Sequence, residues 1–427
     1  LTNDAAAVEK LLAGGANPNS DRFFGFTALQ IAVIHSNNAM ALRLLADGAD
    51  VAAADANGNT ALMWAAAAEP PNPVLLGELL KRGADPAAKN KMDETAIHWA
   101  IRRGNMDAVA RLQAAGASHA AAVRSASEKA IAALQKSGQQ FVKVSGCASC
   151  HHQSLPQMLN GAARKRGFHV DPSVAAQQVK SVMAMFRPIR EKLLDGSATL
   201  PNPAISVSYS LLGLDAEGYA ADETTAAMAA AILRTQLSDG SFAVLPARPP
   251  LEASRVSGTA LGVRALQLYG KDVEENIARA RDWLVNAKPY SGEDRSMRLL
   301  GLVWAGAPQP IVDSAVAELM SAQRPDGGWA QLPGLESDAY ATGQALVALQ
   351  NASRTAPASA IAYLLRTQLP DGSWHVRTRS NPLQPLKDSG FPHGRDQWIS
   401  AAGTSWAAMA LVLSQPVPSS GTASEGQ

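Results

Sequence analysis

Apolar positions along the chain come in short runs of helical period, opened by small hydroxyl residues and closed at glycine. In the first 120 residues Thr27-Ala28-Leu29, Thr60-Ala61-Leu62 and Thr95-Ala96-Ile97-His98 each follow a Gly or an acidic turn and open such a run. Gly-Ala recurs on the same beat at Gly15-Ala16, Gly48-Ala49, Gly83-Ala84 and Gly116-Ala117, separated by 33, 35 and 33 residues. A repeat of that length is one supersecondary unit that buries its apolar face only by stacking on the next. Thr caps the helix, Leu or Ile packs on the neighbouring unit, and Gly permits a left-handed turn after the second helix.

From Ser125 onward the period lengthens to about 40 to 50 residues. Alanine- and leucine-rich helices end in Gln236-Leu237-Ser238-Asp239-Gly240-Ser241-Phe242, Gln323-Arg324-Pro325-Asp326-Gly327-Gly328-Trp329 and Gln368-Leu369-Pro370-Asp371-Gly372-Ser373-Trp374. A short loop then leads to a helix opened by small residues, as at Ser257-Gly258-Thr259, Ala341-Thr342-Gly343 and Gly403-Thr404-Ser405. The pattern predicts six outer and inner helix pairs, at about 127–166, 173–214, 222–269, 273–306, 310–350 and 357–414. Residues 415–427 are rich in Ser, Gly and Pro and are predicted to be disordered.

The first pattern resembles the ankyrin repeat, about three and a half copies over residues 1–120. The resemblance implies a solenoid that binds a protein partner on its concave face, with His98 as a structural residue hydrogen-bonded at a turn. The Gln, Asp-Gly and aromatic turns resemble the QW motifs of squalene and hopene cyclases. The six-pair count is similar to the α/α toroid that those cyclases share with protein prenyltransferase β subunits. Together these resemblances imply an all-α chain, an ankyrin solenoid followed by an (α/α)6 toroid over residues 125–414. In such a ring the loops leading into the inner helices gather at one mouth, where a site would be built.

Composition narrows the choice of partners. With 38 basic and 37 acidic residues and a formal charge of +1, no broad field draws in nucleic acid or an anionic membrane. No run of eighteen apolar residues free of charges and breakers occurs, so no transmembrane segment is expected. The chain opens at Leu1 inside a helical pattern, so a start Met and a signal peptide are expected upstream.

The chemistry-bearing motif is Cys147-Ala148-Ser149-Cys150-His151, followed by His152, and it contains both cysteines of the chain. It resembles the C-x-x-C-H attachment site of c-type cytochromes. That resemblance implies a covalent haem c on Cys147 and Cys150, with His151 as axial iron ligand. A bare zinc or other divalent metal site and a disulfide or redox pair are the alternatives. Haem attachment implies an exported, periplasmic protein working in electron transfer or small-ligand redox chemistry with a redox partner.

Packing of the last hairpin beside the first places the insert Ser389–Trp398 at the same mouth. His393 is the expected second iron ligand, Arg395 a partner for a propionate or another anion, and His152 a cofactor-pocket residue. The nearest segment to the Asp-x-Asp-Asp-Thr acid motif of the cyclases is Asp338-Ala339-Tyr340-Ala341-Thr342, where Tyr340 stands in the place of the proton donor. Asp338 and Tyr340 are therefore candidate catalytic residues. A cyclase-like or prenyltransferase-like enzyme using the Cys/His cluster as its metal site is a second functional reading, and a non-catalytic protein-binding module a third.

Overall fold

Side-chain caps and left-handed glycines set the helix boundaries, and a computed structural model describes residues 5–20, 22–116, 120–145, 149–245, 248–381 and 386–418. The described chain is helical throughout and divides into two compact units, residues 1–123 and 124–427. Of the tail expected from Gln415, residues 419–427 lie outside the described residues.

The first unit contains α1 (Ala5–Ala13), α2 (Ala28–Ile34), α3 (Asn38–Ala46), α4 (Ala61–Ala66), α5 (Pro73–Lys81), α6 (Ala96–Arg102) and α7 (Met106–Ala114). Thr27 and Thr60 cap α2 and α4 with their hydroxyls. At α6, Nδ1 of His98 accepts the backbone N–H of Thr95 at 3.1 Å. Asn37, Asn72 and Asn105 cap the second helix of each pair, satisfying N–H groups that the first helical turn leaves free. Helices α2, α4 and α6 stack as one layer and α3, α5 and α7 as another. Leu29, Leu44, Leu45, Leu62, Met63, Leu79, Ile97 and Leu112 fill the space between them.

Turns ahead of the first-layer helices are tied into a ladder. The Asn90 amide donates to Oδ1 of Asn59 at 2.9 Å, and Lys91 N–H donates to the Asn57 carbonyl at 2.9 Å. Gln30 does the same one repeat earlier, donating to the Asn59 carbonyl. An array built this way is an ankyrin solenoid.

In the second unit the helices are α8 (Ala120–Ser145), α9 (Leu155–Arg164), α10 (Pro172–Phe186), α11 (Arg190–Asp195), α12 (Pro203–Ala216), α13 (Glu223–Leu233), α14 (Arg255–Tyr269), α15 (Glu274–Asn286), α16 (Gly292–Trp304), α17 (Gln309–Ser321), α18 (Ala339–Asn351), α19 (Ala358–Thr367) and α20 (Gln397–Leu413). The segment expected as one pair at 173–214 holds three α-helices, because a 3-10 turn at Arg187–Ile189, centred on Pro188, separates α10 from α11. Helix α9 packs on α12, α12 on α14, α14 on α16, α16 on α18, α18 on α20, and α20 in turn on α9. Residues 399–412 of α20 are buried on every side of the helix, as expected of a helix enclosed by its neighbours.

The repeated turns have one construction. Nε2 of Gln236, Gln323 and Gln368 donates to the carbonyl of the Gly in its own turn. The same amide also reaches the next outer helix: the Asn276 carbonyl, Ser359 Oγ and the Ala126 carbonyl respectively. Gly240, Gly327 and Gly372 take φ of 92°, 90° and 86°, a region open to Gly at no steric cost. The aromatic residue is anchored by its polar edge. Trp329 and Trp374 are buried, and each indole N–H donates to its own preceding outer helix, at the Leu319 and Leu364 carbonyls. Backbone N–H groups of Phe242, Trp329 and Trp374 donate to Thr259, Thr342 and Thr404, which explains the small hydroxyl residues at the start of the inner helices.

Candidate functional site

Cys150–Ser154 forms a single π-helical turn ahead of α9, held by side chains on both flanks. Ser149 caps it through His152 N–H, and Gln153 closes it by accepting Ser149 N–H at 2.7 Å while donating to the Gly138 carbonyl. The wider turn aims the two histidines at different neighbours. His151 lies flat on Trp398, ring centroids 5.1 Å apart, and His152 lies flat on Phe141 at 4.7 Å. The two rings hydrogen-bond through their Nδ1 atoms. One ring therefore donates and the other accepts, so at least one is neutral. Burial drives both below the ordinary range, His151 to about 3, with the Arg248 guanidinium adding to the effect.

A cavity of about 450 Å³ opens beside this turn. Cys150, His151 and Arg395 line it, together with Arg248 and Glu252, which form an ion pair at 3.1 Å. His151 keeps some accessible surface because it faces the cavity, although protein surrounds it in depth. The Cys150 thiol is pushed up to about 12, first by burial and then by the Glu252 carboxylate. At neutral pH it is a thiol and a weak nucleophile.

The other sequence-derived candidates fall elsewhere. His393 sits at φ 84°, with Nε2 2.9 Å from Ser373 Oγ and its ring stacked on His375 at 4.7 Å. Asp338 is the N-cap of α18, accepting Ala341 N–H, and burial raises its carboxyl to about 6. Tyr340 is buried and donates its hydroxyl to Glu293 Oε2 at 2.8 Å. Neither Asp338 nor Tyr340 lines the cavity.

Glu293 is the residue that sequence reasoning missed. Its side chain is buried, and it also accepts the Ser257 hydroxyl at 3.0 Å. Burial raises its carboxyl to about 7 against the pull of the Tyr340 hydroxyl, the Gln344 amide and the Ser257 hydroxyl that bond it. A signal existed: Glu293 and Tyr340 occupy the same position, two residues after the N-caps Ser291 and Asp338 of neighbouring inner helices. A carboxyl poised near neutrality can hold or release a proton, and here it is bonded by the Tyr340 and Ser257 hydroxyls and by the Gln344 amide.

Residues 1–74 match the family model for ankyrin repeats, in three copies. No curated protein matches the chain. These findings correct the reading of the second unit: the matched family is the ankyrin repeat alone, and nothing in the comparisons supports a cyclase, prenyltransferase or c-type cytochrome.

Among the described residues no group of three or more His, Cys, Asp or Glu side chains is placed to hold a metal ion. Cys147 lies outside the described residues, and Cys150 is the free thiol described. His151 and His393 do not converge as a ligand pair, because each ring is committed to its own neighbours, Trp398 and His152 for one, Ser373 and His375 for the other. The expectations of haem c, of zinc or another divalent metal, and of redox chemistry are therefore set aside. Periplasmic export rested on haem attachment and loses that support. No helix of the described residues is long and apolar enough to cross a membrane.

Proposed function

We propose that the chain is a protein-binding protein whose ankyrin array recognises its partner, the binding-module reading of the sequence. One observation carries this: an aromatic row runs across consecutive repeats on the α2, α4 and α6 layer. Phe26 meets Trp64 edge-on at 6.2 Å, and Trp64 meets Trp99 edge-on at 4.9 Å. All three rings are only half-buried, and Phe24 and Met92, on neighbouring turns, are 83% and 67% exposed. Large aromatic side chains held rigid by their own repeat, with a free face, are the residue type that dominates binding energy at protein interfaces. The array accordingly suits a partner that presents an apolar side chain or helix face.

The test is covalent cross-linking of the full chain in the cells that make it. Wild type is compared with Trp64→Gln/Trp99→Gln and with Arg43→Ala/Arg111→Ala, the latter on the α3 and α7 layer. A cross-linked species lost only in the tryptophan variant, with circular dichroism unchanged, is expected. Retention of every species in that variant would overturn the reading.

The second unit, with domain limits near 125 and 414, is proposed as a closed toroid of helix pairs. The cyclic succession of contacts from α9 through α20 and back supports this arrangement. Its role in the reading is that of a scaffold carrying the cavity beside Cys150.

A further inference from the structure

The cavity beside Cys150 differs from the rest of the second unit in combining an apolar wall with one uncompensated cation. Phe141, Phe186, Leu251, Trp398 and Ile399 supply apolar surface from four separate segments. Its volume of about 450 Å³ falls within the roughly 300–1,000 Å³ of small-molecule sites.

Charge on the wall comes from three side chains. Arg248 and Glu252 cancel, and Glu252 is held further by the Asn202 amide at 3.0 Å. Arg395 has no hydrogen bond or ion pair among the described residues. Its sequence neighbour Asp396 is committed instead, one oxygen to His375 at 2.8 Å and the other to Thr378 N–H at 3.0 Å. His151 and Cys150, the remaining titratable groups on the wall, are uncharged at neutral pH. The wall therefore carries a net single positive charge over an apolar floor.

We propose that this cavity binds an amphipathic monoanion, a carboxylate on an elongated apolar body, with the carboxylate on Arg395. A guanidinium presents paired N–H donors in the geometry of a carboxylate, and an apolar chain gains by leaving water for the Phe141, Phe186 and Leu251 surface. A neutral chain of the same length gains the second contribution without the first. Nothing here depends on the ankyrin array.

Calorimetric titration of the full chain with dodecanoate and with dodecan-1-ol, below their aggregation concentrations, tests the proposal. One dodecanoate per chain is expected, bound at least tenfold more tightly than the alcohol. Arg395→Gln, at an exposed position that folding does not need, is expected to remove that preference and leave the alcohol unaffected. Leu251→Trp, which fills the cavity from a half-buried position, is expected to abolish both. No saturable binding, equal affinity for acid and alcohol, or dodecanoate binding indifferent to either substitution would each overturn it.

Discussion

Gln368 and Ala126 are 242 positions apart, and the Gln368 side-chain amide donates to the Ala126 carbonyl at 2.8 Å. The bond joins the turn after α19 to α8, the last outer helix to the first. Its counterparts join adjacent hairpins: Gln236 reaches Asn276, and Gln323 reaches Ser359. The same residue type at the same turn position thus makes a local link twice and a long-range link once. That is what a repeat must do if its final copy meets its first.

The consequence is measurable. Gln368→Ala removes a half-buried donor and leaves the Ala126 carbonyl without it, a loss of about 1–2 kcal/mol by the usual cost of a hydrogen bond. Gln323→Ala is expected to cost about the same. Urea unfolding of both variants compares them directly. A Gln368→Ala cost clearly below that of Gln323→Ala, as left by the bond to Gly372 alone, would show that the two ends are not joined in solution.

Gly327 is required for two reasons that can be separated. Its φ is 90°, and a Cβ there would stand 2.4 Å from the Ser359 carbonyl oxygen. Gly306 has φ 65° with nothing within 4 Å of a Cβ. Gly306→Ala is therefore expected to cost only the backbone contribution, about 1 kcal/mol. Gly327→Ala adds the displacement of α19 and is expected to cost about 3 kcal/mol or more. Equal midpoint shifts in thermal unfolding would mean that α19 gives way freely and that the close approach is not a constraint.

Helical class and the ankyrin half were legible because their signals are local. Thr27, Thr60 and the αL glycines act within one turn of the chain, and His98 finds its partner three residues away. The Gln and Asp-Gly turns were visible for the same reason, but the partner of Gln368 was not, since nothing at 368 encodes residue 126. Cys147-to-His152 misled through the same gap. Spacing along one turn says how side chains relate to each other, whereas metal binding depends on what faces them. Around His151 that is Trp398, Phe141 and the His152 ring, and around His393 it is Ser373 and His375. Glu293 was hidden because a carboxylate in the first turn of a helix normally reads as a solvated residue at the positive end of the dipole.

Glu293 makes stability depend on pH with a definite sign. Its carboxyl titrates at 4.5 when unperturbed and at about 7 in the fold. A raised acid is favoured protonated, so its contribution is fully present below pH 4.5 and is lost as pH rises through about 7. The difference corresponds to about 3 kcal/mol. Glu293→Gln keeps the shape and removes the titration. The gap in unfolding free energy between wild type and variant is expected to move against wild type by about that amount from pH 4 to pH 8. Parallel stability curves across that range would show that Glu293 is not protonated in the fold.

Cys150 provides the sharpest test of the environment that displaced the metal reading. The chain has two cysteines, so Cys147→Ser leaves Cys150 as its one thiol. Thiol–disulfide reagents attack through the thiolate, and a group held at about 12 has a thiolate fraction at pH 8 lower than an ordinary cysteine by on the order of a thousandfold. Labelling of the native variant with an aromatic disulfide at pH 8 is therefore expected to be slow by about that factor. In denaturant it should become rapid and stoichiometric. Repeating the native labelling at pH 10 separates protonation from access, because a thiol held at about 12 still gains about tenfold per pH unit there whereas an ordinary thiol slowed by access has levelled off. Native labelling at the rate of free cysteine would mean that Cys150 is ionised, and the burial beside the Glu252 carboxylate that holds the thiol up would have to be abandoned.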